Sequence, residues 1–269
     1  MKQRHSPYKK SQSLSRGLAI LHAISQTNSG TASISELQQR TGVHRTTIRR
    51  LLQTLIDEGY VKKIHANNRY QLSHRIRELN DGYTDDEWIT EIATPAIGKL
   101  LYKTLWPSDL CTLDGSAVII RETTHRFSSL SFHRAMVRKR LPLLTTAAGR
   151  AYFCYCSAKE REQLLTIIRA ESSEQSKLAK SPQFITQLIE KTVAQGYASN
   201  NGDWHKEDKT AAIALPVRYK DKIISTINIV FLKKILTPQQ ASAQFLPALK
   251  QCVSHIEAEL EATQPTIRP

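Results

Sequence analysis

Apolar residues recur at helical spacing in three successive stretches near the start of the chain. The stretch from Leu14 to Ile24 predicts a first helix of about four turns, which ends at an Asn-Ser-Gly breaker. Ser33, followed three residues later by Glu36, has the capping-box pattern and predicts a short second helix. Apolar residues on one face of residues 44–57 predict a third helix. The three helices follow one another closely enough to form a small helical domain.

A hairpin pattern follows the third predicted helix. In YVKKIHANNRYQLS, apolar and polar residues alternate on both sides of Ala66-Asn67-Asn68, which is typical of two strands joined by a tight turn. Three helices and a hairpin in this order predict a winged helix-turn-helix over residues 13–73. A basic arm over residues 1–12 precedes it.

The rest of the chain mixes helical and strand patterns. Residues 74–106 predict a helical linker, which Pro95 should kink or interrupt. Residues 107–263 predict one further domain, and residues 264–269 a tail. The predicted strands of that domain are DLCTL, AVIIRET, SLSFHR, AAIALPVRY and KIISTINIVFL. Because helical patterns are interspersed among these strands, we expect an α+β domain around one sheet.

Charge is distributed unevenly along the chain. The formal net charge is +14, and residues 1–75 carry 13 Lys and Arg against 3 Asp and Glu. Such a field attracts a polyanion, either nucleic acid or an anionic membrane surface. No apolar run approaches the roughly 20 residues of a spanning helix, and no signal-type apolar core follows the N-terminus, so we expect a cytoplasmic protein without a membrane partner. The four cysteines form no CxxC pair and are expected to be reduced and buried.

The polar face of the third helix carries the candidate DNA-binding chemistry. It bears hydroxyl, amide and guanidinium groups, which pair with phosphate oxygens and base edges, and it has no acidic residue before Asp57. The expected DNA-binding residues are Arg45, Thr46, Thr47, Arg49, Arg50 and Gln53 on the helix, with Lys62, Lys63 and Arg69 on the hairpin. The alternative is an ordinary solvated face, since arginine is also a good helix former.

These motifs resemble the IclR family of bacterial transcriptional regulators. The resemblance extends over nearly the whole chain and is carried by SLSRGLAILHAIS, ISELQQRTGVHRTTIRRLLQTLIDEGYVKK, RLPLLTTAAGRAYF, AQGYASN, IALPV and IISTINIVF. It implies a winged helix-turn-helix, a helical linker that dimerises the DNA-binding domains, and a GAF-like effector-binding domain with a central antiparallel sheet. Family members act as homodimers or dimers of dimers on palindromic double-stranded DNA, in keeping with their two-fold symmetry.

The resemblance also implies where a small effector binds. In the family, backbone amides of a small-residue turn hold an oxyanion of the effector, and the matching residues here are Thr146, Ala147 and Ala148. A helix N-terminus with small side chains can bind a carboxylate in this way. The alternative is that the sequence Ala-Ala-Gly only permits close packing of the helix.

Other expected effector-binding residues depart from the family pattern. Where family members have an acidic residue after the Gly-Tyr pair, this chain has Asn200. Where they have hydroxyl side chains on the last strand, this chain has Asn228 and Val230. These changes make the site less charged and more apolar, which favours a small aromatic carboxylic acid over a small oxoacid. The expected wall residues are Leu130, His133, Leu141 and Ala211. His133 is expected either to hydrogen-bond the ligand or to be a structural histidine.

The sequence favours a regulator over an enzyme. It contains no GxSxG, HExxH, P-loop or GxGxxG motif, so catalysis, a cofactor and a metal site are not expected. Within the family, the resemblance is strongest to an activator of aromatic-acid catabolism, which implies activation and engagement of RNA polymerase. The alternatives are a repressor that responds to another aromatic or small organic acid, an architectural DNA-binding protein and a GAF-domain enzyme.

Overall fold

The computed structural model describes residues 11–27, 29–64, 66–76, 88–131, 133 and 135–264. The chain divides into two compact units, residues 1–84 and residues 85–269. Most of the predicted basic arm and the middle of the predicted linker lie outside the described residues, so the predicted domain boundaries stay predictions. In the part of the chain that the structure describes, no helix is long and apolar enough to cross a lipid bilayer.

The first unit has the predicted helix-turn-helix and hairpin. Its helices are α1 (Gln12–Ser25), α2 (Ile34–Thr41) and α3 (Arg45–Asp57), and its strands are β1 (Thr31–Ala32), β2 (Val61–Ile64) and β3 (Arg69–Leu72). The strands form an antiparallel sheet in the order β1-β3-β2. The predicted capping box is present, because Ser33 and Glu36 each accept a hydrogen bond from the other's backbone N–H. Gly42 ends α2 with a φ of 67°, which permits the tight turn into α3.

The core of the first unit lies between the three helices and the small sheet. Ile24, Leu37 and Ile48 are fully buried in it. Leu14 and Leu18 share the helical spacing of Ile24 in α1 but are exposed. A helix of this length has more apolar residues than one buried face can hold, and periodicity alone does not decide which of them are covered.

The described part of the second unit is built around a six-stranded antiparallel sheet, so its α+β class is confirmed. The strands are β4 (Ser108–Asp114), β5 (Ala117–Thr123), β6 (Arg140–Pro142), β7 (Ala198–Asn201), β8 (Thr210–Tyr219) and β9 (Lys222–Leu232). Their order across the sheet is β6-β5-β4-β9-β8-β7. The helices are α4 (Thr94–Thr104), α5 (Ala147–Tyr155), α6 (Ala158–Arg169), α7 (Glu174–Ala179), α8 (Pro182–Gln195) and α9 (Pro238–Thr263).

Helices cover both faces of this sheet. The packing of α4 and α9 buries one face, which includes Ile213 and Phe231. Helix α5 packs on the other face against Ala212, Ala214 and Val230. Because alternate residues of a strand point to opposite faces, neighbouring residues of β8 belong to different cores. All four cysteines are buried and unpaired, as predicted.

The helical run into α4 passes through Pro95 without a break, and the predicted kink at this proline stays a prediction. A π-helical turn over Ile89–Ala93 passes into α4, and the Thr94 hydroxyl donates to the Ile89 carbonyl over 2.9 Å. Proline lacks the N–H that a helix interior uses, and the change from π-helical to α-helical bonding lies next to it.

The structure corrects the strand predicted as SLSFHR. Ser129 and Leu130 lie in a turn, and the described residues of this segment form no strand. The edge strands β6 and β7 and the helix α7 were not predicted. Helix α7 spans less than two turns, and β6 and β7 have three and four residues. Elements this short give little periodic signal in the sequence.

Candidate nucleic-acid interface and ligand cavity

The exposed face of α3 is cationic and rich in hydrogen-bond donors. The exposed residues are Arg45, Thr46, Arg49, Arg50 and Gln53, while Thr47 is half-buried. Among the described residues, the side chains of Arg49 and Arg50 make no hydrogen bond or ion pair, whereas Gln53 Nε2 donates to Asp57 Oδ1 over 2.8 Å. Ile48 and Leu52 anchor the opposite face in the core. Two guanidinium groups are therefore held on a rigid helix and are available to an anion.

The structure gives Arg69 partners within the first unit. Its Nη2 donates to both carboxylate oxygens of Glu36, at 3.0 and 2.7 Å, and its Nε donates to Thr31 Oγ1 over 2.8 Å. The backbone hydrogen bond from Ser33 and the hydrogen bond from Arg69 lower the pKa of Glu36. Arg69 therefore ties β3 to β1 and α2 through Nε and Nη2, and its contact with DNA stays a prediction. The partner lies 33 residues away in sequence, so no local pattern shows it.

Replacing Arg69 with alanine is expected to destabilise the first unit by about 1–2 kcal/mol, because hydrogen bonds to Thr31 and a half-exposed ion pair are lost. Amide hydrogen exchange of residues 29–76 in the full chain measures this change. Lys62→Ala is the matched control, since Lys62 is exposed and its removal should leave exchange unchanged. Weaker DNA binding by Arg69→Ala with unchanged exchange would support the predicted role.

The two lysines of the hairpin are both exposed, but they lie on neighbouring positions of one strand. Lys62 pairs with Gln71 and Lys63 with Tyr70 across the antiparallel ladder. Successive side chains of a strand point to opposite faces. The two ammonium groups therefore extend from opposite faces of the hairpin, and their contacts with one DNA backbone are expected to be unequal.

A cavity of about 50 Å³ in the second unit lies beside the sheet and the N-terminus of α5. It brings together seven of the predicted effector-binding residues, which come from four separate segments of the chain. They are His133, Leu141, Thr146, Ala147, Asn200, Asn228 and Val230. The walls combine apolar side chains with amide and hydroxyl groups, which is the chemistry of a site for a small amphipathic ligand. The volume of the cavity is below the roughly 150 Å³ of a cavity that holds a benzene ring, so an aromatic ligand requires the lining residues to move apart.

Three predicted effector-binding residues do not line this cavity. Ala211 belongs to the core on the opposite face of the sheet, and Ala212 lines the cavity in its place, because adjacent strand residues alternate. Leu130 is 38% exposed and lies outside the lining. Ala148 packs instead with the buried apolar cluster that contains Leu143.

Side chains of the protein itself already use two backbone amides at the start of α5. Thr146 caps the helix, since its Oγ1 accepts from Gly149 N–H over 3.1 Å and donates to the Pro142 carbonyl over 2.8 Å. The Ala147 N–H donates to Asn200 Oδ1 over 3.2 Å. The amide oxygen of Asn200 thus occupies a position that the family resemblance assigned to an effector oxyanion, and its amide nitrogen remains as a donor.

A buried carboxylate and imidazole face each other on β4 and just after β5. His125 Nε2 lies 3.6 Å from Asp109 Oδ1, and both side chains are at most 2% exposed. Asp109 Oδ1 also accepts from Thr123 Oγ1 over 2.7 Å, and the Asp109 N–H donates to Asn228 Oδ1 over 2.8 Å. Burial raises the pKa of Asp109, but the charge of His125 and side-chain hydrogen bonds to the carboxylate from His125, Thr123 and Asn228 outweigh burial and hold the pKa below its usual value.

Glu207 joins two loops at the cavity. Its Oε2 lies 2.9 Å from His133 Nε2, and its other oxygen accepts from the Lys139 ammonium, which also lies 5.2 Å from the centre of the Trp204 ring. Burial raises the pKa of Glu207, but the hydrogen bonds from His133 and Lys139 outweigh it and lower the pKa to about 2. Since Nε2 of His133 is engaged by Glu207, the structural interpretation of this histidine is favoured.

The stabilising contribution of Glu207 is expected to depend on pH. Its pKa falls from a usual 4.5 to about 2 on folding, so the contribution is complete above about pH 4.5 and is lost as the pH falls towards 2. Thermal unfolding of the wild type and of Glu207→Gln should therefore differ most near neutral pH and converge in acid. Glu162→Gln, on an exposed helix surface, is the matched control and should show little difference at any pH.

Sequence reasoning missed seven residues that line the cavity. They are Asp109, His125, Met136, Trp204, Glu207, Thr210 and Ala212. A usable signal exists for Asp109, which is the one charged residue of the predicted strand DLCTL. Glu207 and Trp204 lie in a loop, where local sequence gives no indication of what they contact.

Comparisons with known proteins match both parts of the chain. Residues 13–65 match the IclR helix-turn-helix domain, and residues 82–258 match the C-terminal domain of the bacterial transcriptional regulator IclR. The acetate operon repressor of Salmonella typhimurium strain LT2 is 27% identical over 157 residues. That match covers 57% of this chain and 56% of the repressor, so the chain spans only about half the length of this relative.

Two further relatives cover more of the chain. The Pca regulon regulatory protein of Pseudomonas putida is 24% identical over 239 residues, which are 88% of this chain and 80% of that protein. An IclR homolog from Microbacterium hydrocarbonoxydans, solved in complex with 4-hydroxybenzoate, has a TM-score of 0.63 and 18% identity. The superposition covers 93% of this chain and all of that one, which shows a shared fold.

Proposed function

Because this chain belongs to the IclR family of bacterial transcriptional regulators, we propose that it is a DNA-binding regulator controlled by a small effector. The first unit binds double-stranded DNA and the second binds the effector. The observation that carries this proposal is the exposed face of α3, where Arg49 and Arg50 have no partner among the described residues. A helix that presents unpaired guanidinium groups opposite an apolar anchor is suited to a major groove.

DNA contacts are divided between base edges and backbone. Arg49, Arg50 and Gln53 lie where the exposed face of α3 can reach base edges. Lys62 and Lys63 on the hairpin contact flanking phosphates, which position the domain without reading sequence. A homodimer or dimer of dimers would place two such helices on a palindromic operator, about one DNA turn or a multiple of it apart.

The effector we propose is a small aromatic carboxylic acid. The apolar walls formed by Leu141, Ala212 and Val230 suit a ring, and the amide nitrogen of Asn200 offers a donor to a carboxylate, since Asn200 Oδ1 accepts from the Ala147 N–H. The stretches WITEIATPAI, RETTHRFSSLSFHRAMVRKRLPLLTTAAGRAY and GDWHKEDKTAAIALPV resemble MhpR, the activator of 3-hydroxyphenylpropionate catabolism. The Microbacterium homolog that shares this fold was solved with 4-hydroxybenzoate.

The direction of regulation that we propose is activation of an aromatic-acid catabolic operon, with RNA polymerase as a partner. It rests on the resemblance to MhpR. The second candidate is repression in response to another acid, and the relationship to an acetate operon repressor favours it. In either case the effector acts by stabilising one arrangement of the DNA-binding units over another, which changes their affinity for the operator.

Thermal unfolding in the presence of aromatic acids tests the effector class. An acid at 100 times its dissociation constant should stabilise the protein by about 2.7 kcal/mol. Acetate and pyruvate serve as small-acid controls and should give no shift. Stabilisation by these controls alone would contradict the aromatic class, and consumption of a bound acid by the pure protein would favour an enzyme over a regulator.

A further inference from the structure

The loop that joins β7 to β8 forms part of the wall of the cavity in the second unit. This β7–β8 loop, residues 202–209, includes a 3-10 turn and places Trp204 and Glu207 in the lining. His133 and Met136 line the cavity from the segment between β5 and β6. None of these four residues belongs to a strand, so this part of the wall can move without disrupting the sheet.

Glu207 connects the β7–β8 loop to the opposite wall of the cavity. Its Oε2 lies 2.9 Å from His133 Nε2, and its Oε1 accepts from the Lys139 ammonium. That ammonium also lies 5.2 Å from the centre of the Trp204 ring, so two side chains of the loop contact one cation. Because the Glu207 carboxylate is only 16% exposed, solvent and salt screen these contacts less than they screen a surface ion pair.

The Glu207 carboxylate makes the only hydrogen bonds between the β7–β8 loop and the segment between β5 and β6 among the described residues. Lys139 is held at the sheet, because its carbonyl accepts from the Ile120 N–H on β5 over 3.1 Å. The base of the loop is anchored at Asp203, whose Oδ2 accepts from Arg150 Nη1 on α5 over 2.8 Å. Loss of the Glu207 contacts would therefore free the tip of the loop while its base stays in place.

The closed cavity leaves too little room for an aromatic acid. Its volume is about 50 Å³, against roughly 150 Å³ for a cavity that holds a benzene ring. Ala212 and Val230 in the floor are held in place, because they pair with each other in the antiparallel ladder of β8 and β9. The β7–β8 loop has no such ladder, so its displacement is the route by which the cavity can enlarge.

We propose that the β7–β8 loop is a flap over the effector cavity and that the contacts of Glu207 with Lys139 and His133 are the latch that holds it closed. An effector enters when the latch opens. The inference rests on the proposed function, because it concerns entry to the cavity that we assign to the effector. Its consequence is that the stability of the closed latch lowers both the association rate and the apparent affinity of an effector.

Two substitutions of opposite charge separate the latch from simple attraction of an anion. Glu207→Gln removes a negative charge and Lys139→Gln removes a positive one, and each weakens the latch. Stopped-flow fluorescence at one fixed salt concentration measures how fast 4-hydroxybenzoate and 3-phenylpropionate associate with the full chain. Both variants should raise the association rate constant by at least about fivefold. An effect of charge alone would raise it in Glu207→Gln and lower it in Lys139→Gln.

Asp208→Asn and Lys206→Gln are the matched controls for these two variants. Both residues are exposed on the same loop, and their side chains make no hydrogen bond or ion pair within the part of the chain that the structure describes. The controls carry the same changes of charge but leave the latch intact. Their association rate constants should stay within about twofold of the wild type.

Trp204 provides a measurement that requires no effector. It is half-buried in the loop, whereas the other two tryptophans of the chain, Trp88 and Trp106, are 2% and 6% exposed in the core on the opposite face of the sheet. Acrylamide quenching of tryptophan fluorescence therefore reports mainly on Trp204. Both latch variants should raise the quenching constant by at least about twofold, because the open flap is more populated, and the two controls should leave it unchanged.

The outcomes separate the inference from the proposed function. Faster association in both latch variants but in neither control would support the flap. Opposite changes of rate in the two latch variants, or unchanged quenching in both, would overturn the inference and leave the aromatic effector in place. If neither acid binds any form of the protein, the proposed effector class fails, and the quenching of Trp204 still decides whether Glu207 holds the loop closed.

Discussion

Arg50→Ala is expected to weaken binding to the specific operator by about 1–3 kcal/mol, or roughly 5- to 150-fold, and to relax its sequence preference. Arg50 lies near the centre of the exposed face of α3, almost opposite the buried residues Ile48 and Leu52. Its guanidinium has no partner among the described residues, so the loss arises from DNA contacts and not from the fold. Fluorescence anisotropy with operator and random duplexes at one fixed salt concentration measures it.

Two controls accompany this substitution. Arg16→Ala removes the same charge from an exposed position of α1 and should weaken operator and random DNA by a similar, smaller factor. Lys62→Ala should also weaken both duplexes alike and lower the salt slope by about one. Equal losses on operator and random DNA from Arg50→Ala would contradict its assignment to base reading.

Gly149→Ala is expected to destabilise the second unit by about 1–3 kcal/mol, which corresponds to a fall of roughly 2–12 °C in melting temperature. A Cβ at this position would lie 2.4 Å from the Pro142 carbonyl oxygen and 2.5 Å from Leu143 Cα. Both atoms belong to backbone, and the Thr146 hydroxyl also holds Pro142 through its carbonyl. The contact cannot therefore be relieved by a change of rotamer.

Gly98→Ala on α4 is the matched control for this substitution. Its added Cβ meets no atom within 4 Å, and alanine in a helix is favoured over glycine by roughly 0.5–1 kcal/mol. Gly98→Ala should thus be neutral or stabilising in the same thermal unfolding experiment. Wild-type stability of Gly149→Ala would show that α5 does not need its close approach to the Pro142–Leu143 backbone.

The sequence left two interpretations of the turn before α5, effector binding and close packing of the helix. The structure of the turn has features of both. Gly149 permits close packing, as the alternative to effector binding required. Thr146 and Ala147 nevertheless line the cavity, as the family resemblance implies. A small-residue sequence is compatible with both roles, and only the three-dimensional position of the helix N-terminus shows that they coexist.

The fold could be predicted where its signals are local. The capping box of Ser33 and Glu36 involves residues three positions apart, and the buried stripe of α3 repeats within one helix, so both are visible in the sequence. The ion pair between Arg69 and Glu36 joins two elements that are distant in the chain. The basic character of Arg69 was visible in the sequence, but its ion pair with Glu36 was not.

Residues of the candidate site could be predicted where a position of the family's effector site can be matched to a position of this chain. Asn200, Asn228 and Val230 line the cavity, whereas Ala211 lies on the opposite face of the sheet and its neighbour Ala212 lines the cavity. A one-residue shift along a strand exchanges the two faces of the sheet, and β8 is apolar on both faces, so its hydrophobic pattern does not show which alanine faces the ligand. The pair of Asp109 and His125 was missed because strand β5 and a turn separate the two residues in sequence.

Footprinting of the promoter region next to the gene, with and without an aromatic acid that binds the pure protein, tests the central claim most directly. The claim is that occupation of the cavity in the second unit changes how α3 engages DNA. We expect protection of two palindromic half-sites about one DNA turn or a multiple apart, with a pattern or an affinity that the acid alters. An identical footprint and an identical affinity in the presence of saturating bound acid would contradict the claim.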